Sequence, residues 1–352
     1  MDILVTIAGA QGLFIGAYLC LSNNAPLSFS TNFWLGLLLI ELSSFILIPS
    51  LVRQYAEVFP HLIATSFPIL FLIGPTVWIY VNKLSNREFT GLKSSFHFIP
   101  FFIVTLYLTD FYVQSSDYKL SWLTNVKNQG LPFIYNTIWV FSCVHIFTYF
   151  YFATAKLSEY KHYLEENHSN LAYLNLTWVS FFTRANVFLW SSYLLIFFLF
   201  QMEVLMDPYG ITDKLFAIGQ GLLIYGITHQ VLRKPELFNT GHIVSKVNKK
   251  YEKTGLSKHE AHKKFSDLMV IMKKDKPYLN PDLTLNELAA MAEVQPKQLS
   301  QLINQYHGKK FYEFINEFRV EESKILLEKA ELKILAIAFE SGFRSKSTFN
   351  SA

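Results

Sequence analysis

Glu41, His145 and Glu203 stand out first, because each is an ionisable side chain set in a run of apolar residues. A carboxylate or imidazole in such surroundings gives up its hydration and needs a partner or a bound ligand in exchange, which makes each a candidate for sensing inside a helical bundle. Glu41 is the sharpest of the three, near the middle of its run. It reads either as a ligand or proton contact, or as one end of an interhelical hydrogen bond to a Ser, Tyr or His. Catalysis has no comparable candidates: the sequence contains no HExxH, nucleophile elbow, phosphate-binding loop or clustered carboxylate pair. Cys20 and Cys143 lie far apart, both in apolar runs, with no disulfide framework or metal-ligand spacing around them. The expectation is a non-enzyme with no metal and no cofactor.

The elements that must hold these groups are written in the composition. Of 352 residues, 51% are hydrophobic and only 16% charged, and 33 are Phe, which is too apolar for an ordinary soluble protein. A helix needs about 20 mostly apolar residues to span a bilayer with every backbone group bonded internally. Seven runs qualify, near 3–21, 33–52, 60–82, 96–113, 133–155, 185–206 and 213–232, separated by turn-forming stretches such as 22–26 and 207–210. The fourth is short and carries His97 and Asp110, and Gly74-Pro75 predicts a kink in the third. The first run reads as a retained helix and not a cleaved signal, since Asp2 stands where a basic region is usual.

An odd number of spans puts the termini on opposite sides. With the N-terminus outside, the inner loops hold Lys83, Arg87, Lys93, Lys156, Lys161 and Arg184, and the outer loops Arg53, Lys119, Lys127 and Lys214. Arg233, Lys234, Lys246, Lys249, Lys250 and Lys253 then follow the last span, which favours a cytoplasmic C-terminus. Between the fifth and sixth runs, the charged stretch Glu159 to Glu166 precedes Leu171, Leu174, Trp178, Phe181 and Phe182 at helical spacing. This predicts a cytoplasmic amphipathic helix over 157–183, lying on the membrane or packing on the tail.

Charge divides the chain as well. Residues 1–232 carry 10 Lys+Arg against 12 Asp+Glu, and residues 233–352 carry 21 against 15, a net +6. Such a tail suits nucleic acid or an anionic membrane surface. Residues 233–256 are lysine-rich and broken by Pro235, Gly241 and Gly255, and read as a basic linker between a bundle (1–232) and a helical domain (257–352). In that domain Ser257 with Glu260, and Thr284 with Glu287, have capping-box spacing. Leu285, Leu288, Ala289 and Ala292 share one face of a short helix. Pro296 opens the next, with Leu299, Leu302 and Ile303 on one side and Lys297, Gln298, Ser300, Gln301 and Asn304 on the other. Two short helices across a tight turn, the second polar and basic outside, make a helix-turn-helix. Gly308 ends it, a longer helix runs over 311–329, and the pattern then repeats through Ile334, Ile337, Ala338, Phe339, a turn at Gly342 and a cap at Ser345. The fold class is therefore all-α: a seven-helix transmembrane bundle followed by a double helix-turn-helix domain.

The stretches LTLNELAAMAEVQPKQLSQLINQ, GKKFYEFINEFRVEESKILL and ILAIAFESGFRSKSTFN, in that order and spacing, resemble the paired helix-turn-helix domain of the AraC family of bacterial transcription regulators, over about 95 residues from 257 onward. The resemblance implies transcriptional regulation, with two reading helices entering successive major grooves of double-stranded DNA. Carried over by position, it implies base contacts from Lys297, Ser300 and Gln301 on the first helix and from Lys346, Ser347 and Asn350 on the second. The chemistry agrees, since Gln and Asn can pair bidentately with adenine, Lys with guanine and Ser with either. Lys309, Lys310 and Arg344 would hold phosphates. Three departures stand beside the match: Glu293 occupies a position where the family often has a turn glycine, Gln295 one where it often has a Ser or Thr cap, and the sequence stops at Ala352 partway into the second reading helix, as a truncated C-terminus would.

The expected protein is a multi-pass resident of the bacterial inner membrane, with the N-terminus outside and the tail cytoplasmic. Its partners would be DNA, the lipid bilayer and an unidentified small-molecule or membrane-protein signal, with a homodimer left open. The alternative is a membrane transporter or receptor whose tail binds a protein. The lack of an internal repeat, the few charges within spans and a single Gly-Pro break argue against a transporter, and the net +6 argues for DNA.

Overall fold

The computed structural model describes residues 2–21, 29–85, 93–170, 177–201, 211–233, 257–328 and 333–352. Glu203, Leu171, Leu174 and the linker beyond Arg233 lie outside the described residues. The chain divides into two compact units: Met1–Leu157 with Thr177–Ile243, and Ser158–Leu176 with Val244–Ala352. Among the described residues there is no β-strand, and one isolated bridge joins His168 and Thr284.

The first unit is built from α1 (Asp2–Leu21), α2 (Phe29–Tyr55), α3 (Ser66–Ser85), α4 (Ile99–Tyr112), α5 (Ser116–Gln129), most of α6 (Phe133–Asn167), α7 (Thr177–Gln201) and α8 (Ile211–Arg233). Among the described residues seven helices, all but α5, are long and apolar enough to cross a membrane. The fourth gains its length from a 3-10 turn, Lys93–Phe98, that leads into α4. Two boundaries differ from the sequence expectation. The α7 helix begins at Thr177 and so includes Arg184, whose exposed Nε donates to the Ser180 carbonyl one turn earlier at 2.9 Å. No single helix fills 157–183: α6 ends at Asn167, because the Ser169 N–H turns away to the Leu283 carbonyl at 3.1 Å. The α5 helix was not legible in the sequence. Its apolar side is short, and Leu120, Trp122 and Leu123 pack on Ile63, Ala64 and Phe111.

Helices α1, α2 and α8 pack against one another, α2 continues onto α3, and α7 lies on α8. Aromatic rings close the remaining side: Phe71 of α3 meets Phe141 of α6 with centroids 5.7 Å apart, and Trp139 of α6 meets Phe197 of α7 at 4.2 Å. The tightest approach is between α1 and α2, where a Cβ on Gly36 would stand 2.6 Å from the Gly16 carbonyl oxygen and 2.7 Å from Cys20 Sγ. Only glycine permits two backbones this close. The polarity of the unit is inverted relative to a soluble protein. Ile3, Ile7, Phe14, Leu106, Phe133 and Phe188 point outward, while Glu41, Ser43, Thr76, Asn186, Gln220 and Thr228 are buried.

In the second unit, α9 (Lys258–Lys274), α10 (Leu285–Met291), α11 (Pro296–His307), α12 (Phe311–Glu328), α13 (Ile334–Glu340) and α14 (Lys346–Ser351) follow in order. Capping boxes open α9 and α10 at Ser257 and Thr284, so the first-turn N–H groups find acceptors without tertiary help. Leu268, Met272, Leu285, Leu288, Leu299, Ile303, Phe311, Phe314 and Ile315 form one core. The last turn of α12 is less buried than its apolar sequence suggests, with Ile325 half exposed.

Gly36→Val should force α1 and α2 apart, and a lower thermal midpoint in detergent micelles than for the unaltered protein is the expected reading. Two turn positions in the second unit should respond in opposite directions. Glu293 holds φ +53, so Glu293→Gly should stabilise by about 1 kcal/mol, because its exposed 3.9 Å pairing with Lys264 contributes little. Gly342 holds φ +89, and a Cβ there would stand 2.4 Å from the Tyr278 carbonyl oxygen, so Gly342→Ala should cost at least about 2 kcal/mol. Denaturant titration of the two variants measures both.

Candidate nucleic-acid interface

Each half of the second unit repeats one construction. In the first, α10 buries Leu285, Leu288 and Ala289, and the chain turns through Ala292–Gln295 into α11, which buries Leu299, Leu302 and Ile303. The turn closes when the Val294 N–H reaches back to the Ala289 carbonyl at 3.0 Å. Glu293 takes the left-handed conformation there, so a residue with a Cβ fills a role that glycine fills with less strain. In place of a Ser or Thr cap, the side chain of Gln298 accepts from the Gln295 N–H at 3.0 Å. Both departures are thus absorbed without loss of the turn.

The second half has α13 burying Ile337 and Ala338, a turn at Gly342, and the Phe343 N–H reaching the Ala338 carbonyl at 2.9 Å. Phe343 fills the position of Val294 and is buried. Ser345 caps α14 by accepting from the Thr348 N–H at 3.2 Å, and Thr348 is the buried side chain of that helix. Inside, Ser323 of α12 meets Ser341 Oγ at 2.9 Å, and Ser341 donates to the Ile337 carbonyl. The α12 helix thereby serves both halves.

These packings fix which side chains face outward. Lys297 and Gln301 are exposed on α11 and Ser300 is half-buried, while Lys346, Ser347 and Asn350 are exposed on α14. The three on α11 share one face, as do the three on α14. Among the described residues none of these six side chains takes part in an ion pair or a side-chain hydrogen bond. The three expected phosphate contacts differ, for each is already matched to a carboxylate. Lys309 lies 2.8 Å from Glu317, Lys310 2.7 Å from Glu165, and Arg344 2.6 Å from Asp282. Lys309 and then His307, both bonded to Glu317, hold that carboxyl below the usual range. The hydrogen bond from Lys310 to Glu165 in turn pushes the ammonium up.

Arg319 was missed in the sequence, where it interrupts the apolar face of α12. It is 1% exposed. Its Nε donates to the Tyr278 carbonyl at 2.8 Å and Nη2 to the Asn280 carbonyl at 2.8 Å, while Nη1 and Nη2 reach the Ser169 carbonyl at 2.7 Å and Ser169 Oγ at 3.0 Å. Burial pulls its pKa down to about 10, which leaves it charged at neutral pH. A signal was present: Asn316, Arg319 and Ser323 are polar residues at helical spacing, and all three are buried.

Of the sensing candidates in the first unit, Glu41 is buried and accepts from Thr76 Oγ1 of α3 at 2.9 Å, with its second oxygen unbonded among the described residues. The His145 ring lies tilted against Phe71 with centroids 5.4 Å apart and edge-on to Tyr149 at 4.8 Å. No hydrogen bond joins Glu41 and His145, and Glu203 lies outside the described residues. Gln220 with Asn186 (3.1 Å) and Gln11 with Thr228 (2.7 Å) are further polar pairs inside the unit that spacing alone did not reveal.

Comparison with known proteins agrees with this geometry in the tail. A family profile described as "Helix-turn-helix domain" matches residues 288–352. The HTH-type transcriptional regulator GlxA of Rhizobium meliloti (strain 1021) is 28% identical over 85 residues, which is 24% of this chain and 26% of that protein. The chain thus spans about a quarter of the length of the curated relative it matches. No solved structure matches the chain. The C-terminal part of this all-α protein carries a helix-turn-helix domain of the AraC type.

Proposed function

We propose that the protein is a membrane-embedded, sequence-specific DNA-binding transcription regulator whose helical bundle responds to a signal. The single observation that carries the DNA reading is the pairing of two helix-turn-helix halves that each present three outward polar side chains not otherwise committed. Side chains of these types suit the edges of base pairs, with Gln301 and Asn350 matching adenine and Lys297 and Lys346 matching guanine. Lys309, Lys310 and Arg344 contribute backbone contacts by exchanging carboxylates for phosphates.

Membrane embedding is supported by the inverted polarity of the first unit, whose outward surface is aliphatic and aromatic while its polar groups are internal. The orientation with the N-terminus outside is supported by topology. The second unit takes up chain after the fifth span and again after the seventh, and both are odd-numbered crossings that end on the same side. The lysines after Arg233 favour the cytoplasm for that side. Glu41, paired with Thr76 in the interior, is the group through which a small molecule or membrane-protein signal would favour one bundle state over another. Two copies could pair through their bundles.

Crosslinking and immunoprecipitation in cells should recover discrete DNA sites, and those sites should vanish when Lys297→Ala, Ser300→Ala and Gln301→Ala are combined at equal membrane abundance. Sites indifferent to the triple change would end the base-reading assignment and leave the tail as a protein-binding module. In vitro, Lys309→Gln should weaken binding evenly across DNA sequences and lower the slope of log affinity against log salt by about 1. Gln301→Ala should instead relax preference at one base pair, by about 1–3 kcal/mol. Titrations at several salt concentrations separate the two kinds of residue.

A further inference from the structure

We propose that the end of α6, together with His168–Asn170, is an intramolecular clasp that holds the helix-turn-helix domain and keeps Lys310 from DNA, so that opening the clasp is how the protein is switched on. This rests on the DNA reading above.

The clasp has a buried anchor and a half-buried latch, both within the second unit. At the anchor, His168, Ser169 and Asn170 are buried, although three polar residues in sequence would ordinarily lie at the surface. Their backbone is held by the bridge from His168 to Thr284 and by the Ser169 N–H donating to the Leu283 carbonyl. Arg319 closes the socket, with two of its donors spent on Ser169. A guanidinium cannot shed its charge in the cell, so the socket is complete only while Ser169 supplies those acceptors or water replaces them. The segment is therefore part of the domain when docked, and its departure opens a polar site that water can fill.

At the latch, Lys310 Nζ donates to Glu165 Oε2 at 2.7 Å and lies 3.0 Å from His162 Nδ1. Lys161, one turn before Glu165 at 3.7 Å, leaves the carboxylate shared between two ammonium groups. A carboxylate seated on a lysine that would otherwise meet a phosphate does two things to DNA: it removes one counterion-releasing contact, and it places a negative charge where the backbone would approach. Both weaken binding while the clasp is shut.

The connection to the rest of the chain is covalent. The α6 helix is unbroken from Phe133 to Asn167, so the turns that carry His162 and Glu165 continue the helix that holds its apolar span. An axial or rotational shift of that element by one signal state would load the latch first, because its half-buried ion pair is held by fewer bonds than the buried anchor, and the anchor second.

The test uses the full chain in lipid nanodiscs and a mixed-sequence DNA duplex at low salt, so no operator need be known. Glu165→Gln should bind the duplex about three- to tenfold more tightly than the unaltered protein, and this gain should disappear in a Lys310→Gln background. Ser169→Pro, which removes the donor to Leu283, should speed amide exchange in 158–167, leave α10 and α11 protected, and tighten DNA binding in the same direction. Unchanged affinity in Glu165→Gln, or a gain that persists without Lys310, would overturn the clasp while the DNA reading stands. If none of the variants nor the unaltered protein binds the duplex, the DNA reading falls and the clasp falls with it.

Discussion

The second unit depends on one buried cation. Arg319 cannot be neutralised by losing a proton at cellular pH, so the chain must surround it with acceptors, and those acceptors come from places far apart in sequence. The Tyr278 and Asn280 carbonyls fix the segment just before α10. That same segment is where the second turn docks, since any side chain at Gly342 would strike Tyr278 and Leu279. Phe343 follows in the turn, its ring 5.9 Å from the guanidinium, and Ser323, one turn along α12, holds Ser341. The two helix-turn-helix halves are thus set on a shared scaffold. Replacing the charge would leave several buried carbonyls unsatisfied together, a larger penalty than losing any one bond.

The first unit answers the opposite problem. Its surface is apolar, so its specificity has to come from inside, through backbone approach and a few polar pairs. Gly16 and Gly36 supply the approach, and Glu41 with Thr76, Asn186 with Gln220, and Gln11 with Thr228 supply the pairs. Tyr193 and Asp213 add another between α7 and α8. A carboxylate bonded at only one oxygen among the described residues is the least settled of these groups, and the proposed response to a signal is placed at Glu41 for that reason.

The charges of the second unit fall into two kinds. Lys297 and Lys346 project from the reading helices without carboxylate partners among the described residues, whereas Lys309, Lys310 and Arg344 are matched to Glu317, Glu165 and Asp282. DNA would therefore meet the first kind directly and would have to displace acids to engage the second. The exposed pairs at Lys309 and Arg344 cost little to open, and the half-buried pair at Lys310 costs more. Under the function proposed above, selectivity and overall grip are carried by different residues. Of the three acids, Glu165 alone comes from outside the tail sequence, and the clasp proposed above rests on that difference.

Much of this was legible from local pattern. Seven apolar runs announce seven helices because a spanning helix bonds its own backbone and needs only length and composition. Thr284 with Glu287 and Ser257 with Glu260 mark helix starts because a capping box is complete within four residues. The repeat of a short helix, a turn and a polar-faced helix was readable for the same reason. What the sequence could not determine were interactions that join distant segments. Arg319 is surrounded by Ser169, Tyr278 and Asn280 only in the folded chain, and Lys310, expected at a phosphate, is paired with Glu165 by the same folding. Glu293 had to accept a left-handed backbone because the packing of α10 on α11 leaves the turn no other path. The end of α6 and the start of α7 were misplaced because periodicity in 157–183 is continuous, and only the tertiary bonds of His168 and Ser169 interrupt the helix. Local periodicity decides which segments are helices, because those bonds close within a turn; the partners of buried charges are decided by the tertiary structure, because no local bond can pay the cost of their burial.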